Sequence, residues 1–186
     1  GWETVERELG PGSLSPVTVV LQVQGDVLEP AIIGALYDFT RDMEADPRVE
    51  RVSSIVSVDP SIGREQYQQM YALPLETLPL EVGAAVQSLV FSDVTVIHLI
   101  TTLAPSSDEA ETFVDEIRAR EIGPGITAMV TGVTAAQKDL TDLMYRYFPL
   151  VILYVVLATY LVLLVLFRSV VLPLKAVIMN AMSIFA

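Results

Sequence analysis

The run FPLVILYVVLATYLVLLVLF, residues 148–167, decides how the rest of the chain is organised. It contains no charged side chain, no Asn and no Gln. A helix of this length rises about 30 Å, which matches the hydrocarbon core of a bilayer. Tyr145, Tyr147 and Phe148 lie at one end and Arg168 follows the other, as expected of residues that anchor a helix at the two membrane interfaces. The length favours a transmembrane helix over the core helix of a soluble protein.

The charge of the chain divides at this helix. Residues 1–147 contain all 23 acidic residues and 9 of the 11 basic ones, a net charge of −14, whereas Arg168 and Lys175 follow the helix. Basic residues beside a membrane helix favour the cytoplasmic side, with Lys175 as an interface anchor. We therefore expect residues 1–147 to be extracytoplasmic at a bacterial cytoplasmic (plasma) membrane. An acidic domain repels nucleic acid, and the lack of cysteine excludes disulfides.

Two patterns predict an α+β domain over residues 16–133, after a lead-in segment at residues 1–15. Apolar residues alternate with polar ones in four segments and recur at helical spacing in two segments between them. The order β-α-β, an insertion at residues 59–92, and β-α-β predicts a ferredoxin-like split βαβ fold, with one antiparallel sheet and helices on one face. Another α+β arrangement stays open, because strand order is not visible in sequence. The predicted strands are residues 17–24, 49–58, 93–103 and 126–133, and the predicted helices are residues 30–45 and 107–120.

Local residues set the expected helix ends. Ser106 is predicted to be the N-cap of the helix at residues 107–120, in a capping box with Glu109. A connecting helix is predicted over residues 134–147, because nothing before Pro149 opposes helix formation. If this helix continues to the end of the membrane segment, it forms a lever about 50 Å long.

The insertion, residues 59–92, is predicted to contain short helices at residues 64–72 and 80–90, joined by a linker that prolines interrupt. The first helix is expected to expose aromatic and Met side chains, which make adaptable apolar surfaces. An alternative is a small apolar core beneath a loop. The candidate contacts for a hydrophobic cargo are Tyr67, Met70, Tyr71 and Phe91.

Patterns that indicate catalysis or metal binding are weak. His98 is the only histidine, and a solitary histidine within a strand is more typical of a structural residue than of a ligand or base. The acid-rich runs at residues 42–46 and 108–116 lack EF-hand spacing and fit solvated helix faces. The chain has no Gly-rich phosphate loop and no nucleophile elbow. We therefore predict a protein that is not an enzyme, with no cofactor and no metal site.

The run FRSVVLPLKAVIMN, residues 167–180, resembles the MMPL-type branch of the RND transporter superfamily. In that family a helix leaves an extracytoplasmic porter subdomain, crosses the membrane, ends in a Phe-Arg-Ser-like turn and returns through a Leu-Pro-Leu-Lys-Ala segment. Residues 1–16, 66–72 and 132–139 are also similar, so the resemblance covers nearly the whole chain. The residues that carry the motif are Phe167, Arg168, Ser169, Leu172, Pro173, Leu174, Lys175 and Ala176.

The resemblance implies proton-driven export of lipids or other hydrophobic and amphiphilic compounds, with the outer domain bordering the substrate path. It implies as partners the membrane, the remaining membrane helices and the other porter subdomain of the same full-length chain. Residues 170–186 are expected to begin a second transmembrane helix, and the chain is interpreted as an excerpt that resembles the second half of these duplicated transporters. The family often has paired glycines where this chain has Gly132 and Val133, which predicts a stiffer exit from the last strand.

Two other functions stay open at this point. The ligand-binding domain of a membrane-tethered sensor would continue into a cytoplasmic signalling region after Arg168, whereas this chain returns at once to apolar residues. An accessory protein of a membrane complex would have no later membrane helix with buried carboxylates. The number of membrane spans in the whole protein separates these functions from transport.

Overall fold

The computed structural model describes residues 15–167, together with Lys175, Ile178 and Met179. These residues belong to two compact units that divide between Lys138 and Asp139. The lead-in segment apart from Ser15, and most of the second predicted membrane helix at residues 170–186, lie outside the described residues.

The first unit contains one antiparallel sheet, which in the described part of the chain has five strands. They are β1 (Val17–Val23), β2 (Val49–Ser53), β3 (Val90–Phe91), β4 (Val94–Thr101) and β5 (Ile126–Thr131). The order is β2-β4-β1-β5, and β3 pairs with β4. Strand β4 therefore separates β1 from β2, and β1 separates β4 from β5. Each βαβ unit is split by a strand of the other, so the predicted ferredoxin-like fold is confirmed.

The helices connect these strands in the predicted order. Helix α1 joins β1 to β2, and α4 joins β4 to β5, while α2 and α3 lie in the insertion. A short 3₁₀ helix, Leu75–Thr77, stands in the linker that was predicted between them. The bounds are α1 (Pro30–Glu44), α2 (Arg64–Tyr71), α3 (Leu80–Leu89), α4 (Asp108–Ala119) and α5 (Val133–Phe167).

The hydrophobic core lies on one face of the sheet. Along β1 every second residue is buried, and β4 alternates in the same way between buried and half-buried side chains. Helices α1 and α4 contribute their apolar stripes to the same core, as their helical spacing predicted. Full burial of one such aliphatic or aromatic side chain stabilises the fold by about 1.5–3 kcal/mol. The central core residues include Val19, Leu21, Ile33, Leu36, Leu99, Phe113 and Ile117.

The strand predicted at residues 49–58 is too long, because β2 ends at Ser53. The Ser54 backbone N–H donates to Ser57 Oγ at 2.8 Å, and that hydroxyl donates to the Val52 carbonyl at 3.2 Å. These local bonds compete with the strand ladder and turn the chain. Val56 is nevertheless fully buried, so the period-two pattern identified a core residue but not its secondary structure.

Two further details differ from the prediction. The N-cap of α4 is Ser107 rather than Ser106, and its Oγ accepts a hydrogen bond from the Ala110 N–H at 3.2 Å. The two serines are adjacent, so the capping pattern was wrong by one position. Strand β3 was not predicted. It pairs with β4 through a tight turn in which Ser92 has a positive φ of 59°.

Gly132 joins the last strand to α5. Its φ is +119°, and a Cβ there would lie 2.7 Å from the Pro16 carbonyl oxygen. Only glycine takes this conformation without strain. Helix α5 begins at the next residue, Val133, and extends to Phe167 with Pro149 inside it.

Candidate functional site

The four predicted cargo contacts occupy different environments. Tyr67 and Tyr71 on α2 are 0% and 4% exposed, and Met70 is partly buried against the core. The expected exposure of the two tyrosines is therefore wrong, and both belong to the main hydrophobic core rather than to a separate small one. Phe91 on β3 is 58% exposed. Contact with a cargo stays a prediction for this set, and Phe91 is the member that offers it a surface.

The two buried tyrosines fix the loop that follows β2, and we call the pair the tyrosine clasp. Tyr67 Oη donates to the Asp59 carbonyl at 3.1 Å and accepts from the Asp59 N–H at 3.0 Å. Tyr71 Oη donates to the Ile55 carbonyl at 2.5 Å. The two rings stack with their centroids 6.0 Å apart. Burial raises the pKa of both tyrosines, so the hydroxyls remain protonated and able to donate.

Helix α2 is also attached to α1. Gln68 Nε2 donates to the Pro30 carbonyl at 2.6 Å, and Arg64 Nε pairs with Asp38 at 3.0 Å. Gly34 permits this approach, because a Cβ there would lie 2.6 Å from the Arg64 guanidinium and 2.7 Å from the Gln68 amide. The start of the insertion is therefore held against the core on two sides, by the clasp and by α1.

A pocket of about 310 Å³ opens between the loop after β2 and the start of α3. Two of its lining residues, Asp59 and Glu81, are acidic. Ser61 donates to Asp59 Oδ1 from its hydroxyl at 2.6 Å and from its backbone N–H at 2.8 Å. These bonds lower the pKa of Asp59, so this carboxylate stays ionised at neutral pH. The apolar lining residues are Val58, Ile62, Pro79, Leu80 and Val82.

The second unit contains most of α5. Among the described residues, α5 is the one helix long and apolar enough to cross a membrane, over Val133–Leu166, and none of its most apolar stretch is buried. Tyr154 is 72% exposed and Val165 is 76% exposed. Leaving so much apolar surface in water costs about 25 cal/mol per Å². Lipid or other protein must therefore cover this helix.

The predicted interface anchors are placed as follows. Tyr145, Tyr147 and Phe148 are exposed on α5, and the Arg146 guanidinium lies 6.0 Å from the centre of the Tyr147 ring. Lys175 is exposed. The anchoring role of these residues stays a prediction. Of the family-like motif, Phe167 ends α5, and the residues that lie outside the described part of the chain are Arg168, Ser169, Leu172, Pro173, Leu174 and Ala176.

The apolar face of α5 continues beyond the predicted membrane segment. Leu140, Leu143 and Met144 are each more than half exposed and lie three or four residues apart, as neighbours on one side of a helix do. A shallow groove of about 330 Å³ runs along this face from Leu143 to Val151. Because charged residues share this stretch of the helix, one side of it faces water while the other requires an apolar cover.

His98 lies on the half-exposed face of β4, where its Nδ1 is 3.1 Å from the Thr18 hydroxyl of the neighbouring strand. This is a cross-strand contact of the kind that stabilises sheets. Three or more His, Asp or Glu side chains do not come together as a metal site anywhere in the described residues. The structure thus gives His98 a cross-strand contact with Thr18.

The acidic runs take part in ion pairs between elements. Arg48 pairs with Asp46 at 2.8 Å and with Glu116 of α4 at 2.6 Å, and its guanidinium lies 4.7 Å from the centre of the Phe113 ring. The hydrogen bond from Arg48 lowers the pKa of Asp46. These contacts link neighbouring elements. Glu116 is on the exposed side of α4, as predicted, whereas Asp46 lies beyond the end of α1 and its side chain is only 15% exposed, so the prediction of a solvated helix face is wrong for Asp46.

Two comparisons with known proteins bear on these surfaces. Residues 3–186 match the family model of the MMPL family. The chain is also similar to the mycolic acid-containing lipids exporter MmpL11 of Mycolicibacterium smegmatis, with 27% identity over 183 residues. That similarity covers 96% of this chain and 16% of the relative, so the chain spans about a sixth of the length of that protein.

Proposed function

Because the chain belongs to the MMPL family, we propose that it is part of a membrane transporter that exports lipids or other hydrophobic or amphiphilic compounds. The observation that carries this proposal is the family match, which includes both the α+β unit and the apolar helix α5. The similarity to a lipid exporter supports the substrate class. The partners are then the membrane, a lipid-like cargo, and the other helices and outer subdomain of the complete protein.

In this proposal residues 16–133 form an extracytoplasmic porter subdomain, and residues 134–147 connect it to a transmembrane helix at residues 148–167. A second membrane helix begins in residues 170–186. The acidic charge of residues 1–147 and the basic residues after α5 support this orientation. We propose that the exposed Phe91 and the pocket beside α3 border the substrate path.

We further propose that a proton gradient drives export and that α5 transmits the motion. Residues 148–167 contain no ionisable side chain other than Tyr154 and Tyr160. A proton relay across a membrane requires acidic or basic side chains, so the relay belongs to other helices of the complete protein. The helical residues 133–167 span about 50 Å at 1.5 Å per residue, long enough to couple the membrane to the outer subdomain.

An export assay in the native cell tests this function. Deletion of the gene should leave one lipid class inside the cell, and the complete protein should restore that lipid to the cell surface. An uncoupler that collapses the proton gradient should stop export in the restored strain within minutes. Unchanged lipid distribution in the deletion strain would contradict the exporter, and export that continues without a proton gradient would contradict proton coupling alone.

A further inference from the structure

Exposed apolar side chains in the first unit are concentrated in the insertion. Within the described residues of that unit, six large hydrophobic side chains are exposed, and two of them, Met129 and Val133, lie outside the insertion. Leu80 at the start of α3 is the most exposed, at 88%. Scattered exposed apolar side chains are common on protein surfaces, whereas those that line a pocket indicate a binding site. The other three exposed apolar residues of the insertion are Leu73, Leu75 and Phe91.

Leu80 forms the rim of the 310 Å³ pocket. Val82 is 2% exposed and Val58 and Ile62 are half-buried, so these three side chains form its inner wall. Pockets that take small ligands begin at about 300 Å³ and are lined mainly by apolar side chains. The pocket therefore has the size and lining to receive one apolar chain.

The wall of this pocket is held in place before any ligand arrives. The tyrosine clasp fixes the backbone of Asp59 through both its N–H and its carbonyl. The Ile62 N–H then donates to the same carbonyl at 3.2 Å, which closes the turn that positions Ile62. A pre-formed wall lowers the ordering cost of binding.

The charge at the pocket is negative. Asp59 and Glu81 line it, and residues 59–92 contain four acidic residues and a single basic one, Arg64. Arg64 pairs with Asp38 of α1 at 3.0 Å. An anionic head group at the mouth would meet like charge, which costs binding energy, whereas a cationic head group would be attracted.

We propose that this pocket binds the alkyl chain of an amphiphile with a cationic head group, in preference to the same chain with an anionic head group. The alkyl chain lies against Val58, Ile62 and Leu80, and the head group lies beside Asp59 and Glu81. This inference rests on the proposed export of amphiphiles and adds a binding site and a head-group preference to it.

Photolabelling of the complete protein in lipid nanodiscs tests the site. Two probes share one C12 alkyl chain with a diazirine and carry either a trimethylammonium or a sulfonate head group. The cationic probe should label the peptides that contain residues 58–62 and 79–82, and the anionic probe should label them about tenfold less. Leu80→Asn should reduce cationic labelling by about tenfold, because it replaces the apolar rim with a polar side chain and leaves the charge unchanged. Leu73→Asn is the matched control and should keep labelling within about twofold, since Leu73 is exposed but does not line the pocket.

Equal labelling of these peptides by the two probes would overturn the proposed head-group preference, and equal loss of labelling in the two variants would overturn the site. Labelling spread over the protein without these peptides would overturn the site. Parallel measurement of lipid export separates this inference from the proposed function. Export without pocket labelling refutes the pocket alone, whereas pocket labelling in a protein that exports no lipid refutes the exporter.

Discussion

At the scale of single residues, Gly132 combines a positive φ with a close approach to the backbone of Pro16. Substitution Gly132→Ala should lower the free energy of unfolding by about 1–3 kcal/mol, because the new Cβ would strain the backbone and meet the Pro16 carbonyl. Gly83→Ala is the matched control. A Cβ at this α3 position meets nothing within 4 Å, so the change should stabilise by about 0.4–1 kcal/mol. Thermal unfolding of the complete protein in detergent measures both, and equal effects would contradict the argument.

The tyrosine clasp makes a second prediction at this scale. Tyr71→Phe removes the hydroxyl that donates to the buried Ile55 carbonyl, which should cost about 1–3 kcal/mol. Hydrogen exchange measured by mass spectrometry should then be faster in residues 54–62. Tyr145→Phe, at a side chain that is 75% exposed, should leave this exchange unchanged. Slow exchange that persists in the Tyr71 variant would mean that the clasp does not hold the loop.

The carboxylate of Asp46 should make the stability of the fold depend on pH. Its pKa is lowered in the folded protein from a usual value of 3.8, so its contribution is complete above about pH 5 and is lost as the pH falls through the folded pKa. Asp46→Asn keeps an oxygen that can accept from the Arg48 N–H but removes the charge. The variant should therefore lose about 1 kcal/mol at pH 6 and show a weaker acid dependence. Melting temperatures of both proteins from pH 6 to pH 3 check this, and parallel curves would contradict it.

At the scale of elements, periodicity predicted which segments are helices and strands better than it predicted their ends. The strand after α1 was predicted to reach residue 58 because Val52, Val56 and Val58 alternate, yet serine hydroxyls stop it at Ser53. A hydroxyl competes with the backbone ladder through its geometry, which hydrophobic alternation does not register. The predicted N-cap of α4, Ser106, was also one residue away from the observed N-cap, Ser107.

The sequence also did not separate a surface tyrosine from a core tyrosine. Tyr67 and Tyr71 are spaced for one side of α2, which is equally consistent with contact to a cargo or to a neighbouring loop. Their burial depends on the loop at residues 54–62 folding back over them, a contact that is distant from α2's own periodicity. The pocket beside α3 was missed for the same reason, since its two walls come from separate segments.

Helix α5 gives the prediction at this scale. If α5 transmits motion as a stiff element, the double substitution Leu150→Gly and Val151→Gly should reduce export several-fold, because each glycine weakens the helix by about 1 kcal/mol. The matched control is the same pair changed to alanine, which removes similar side chains but keeps helix propensity. Equal export by the two double variants, at equal amounts in the membrane, would contradict the lever.

At the scale of the whole molecule, the chain has no cysteine, so single introduced thiols can report its orientation. In a cysteine-free form of the complete protein, Glu109→Cys on exposed α4 should react with a membrane-impermeant maleimide added to intact cells. Leu157→Cys, near the middle of the apolar run, should not react because lipid covers it. Reaction of the Glu109 variant only after the cells are permeabilised would reverse the proposed orientation.

The two kinds of link within the first unit differ in their response to ionic strength. The tyrosine clasp joins neutral hydroxyls to backbone groups, whereas α4 is linked to neighbouring segments by charged pairs such as Arg48 with Glu116 and Arg120 with Asp42. Salt screens the interaction between exposed charges. The screening (Debye) length is about 8 Å at physiological ionic strength and shorter at higher ionic strength. High ionic strength should therefore weaken the ion pairs that attach α4 to neighbouring segments, whereas the loop at residues 54–62 should keep its position.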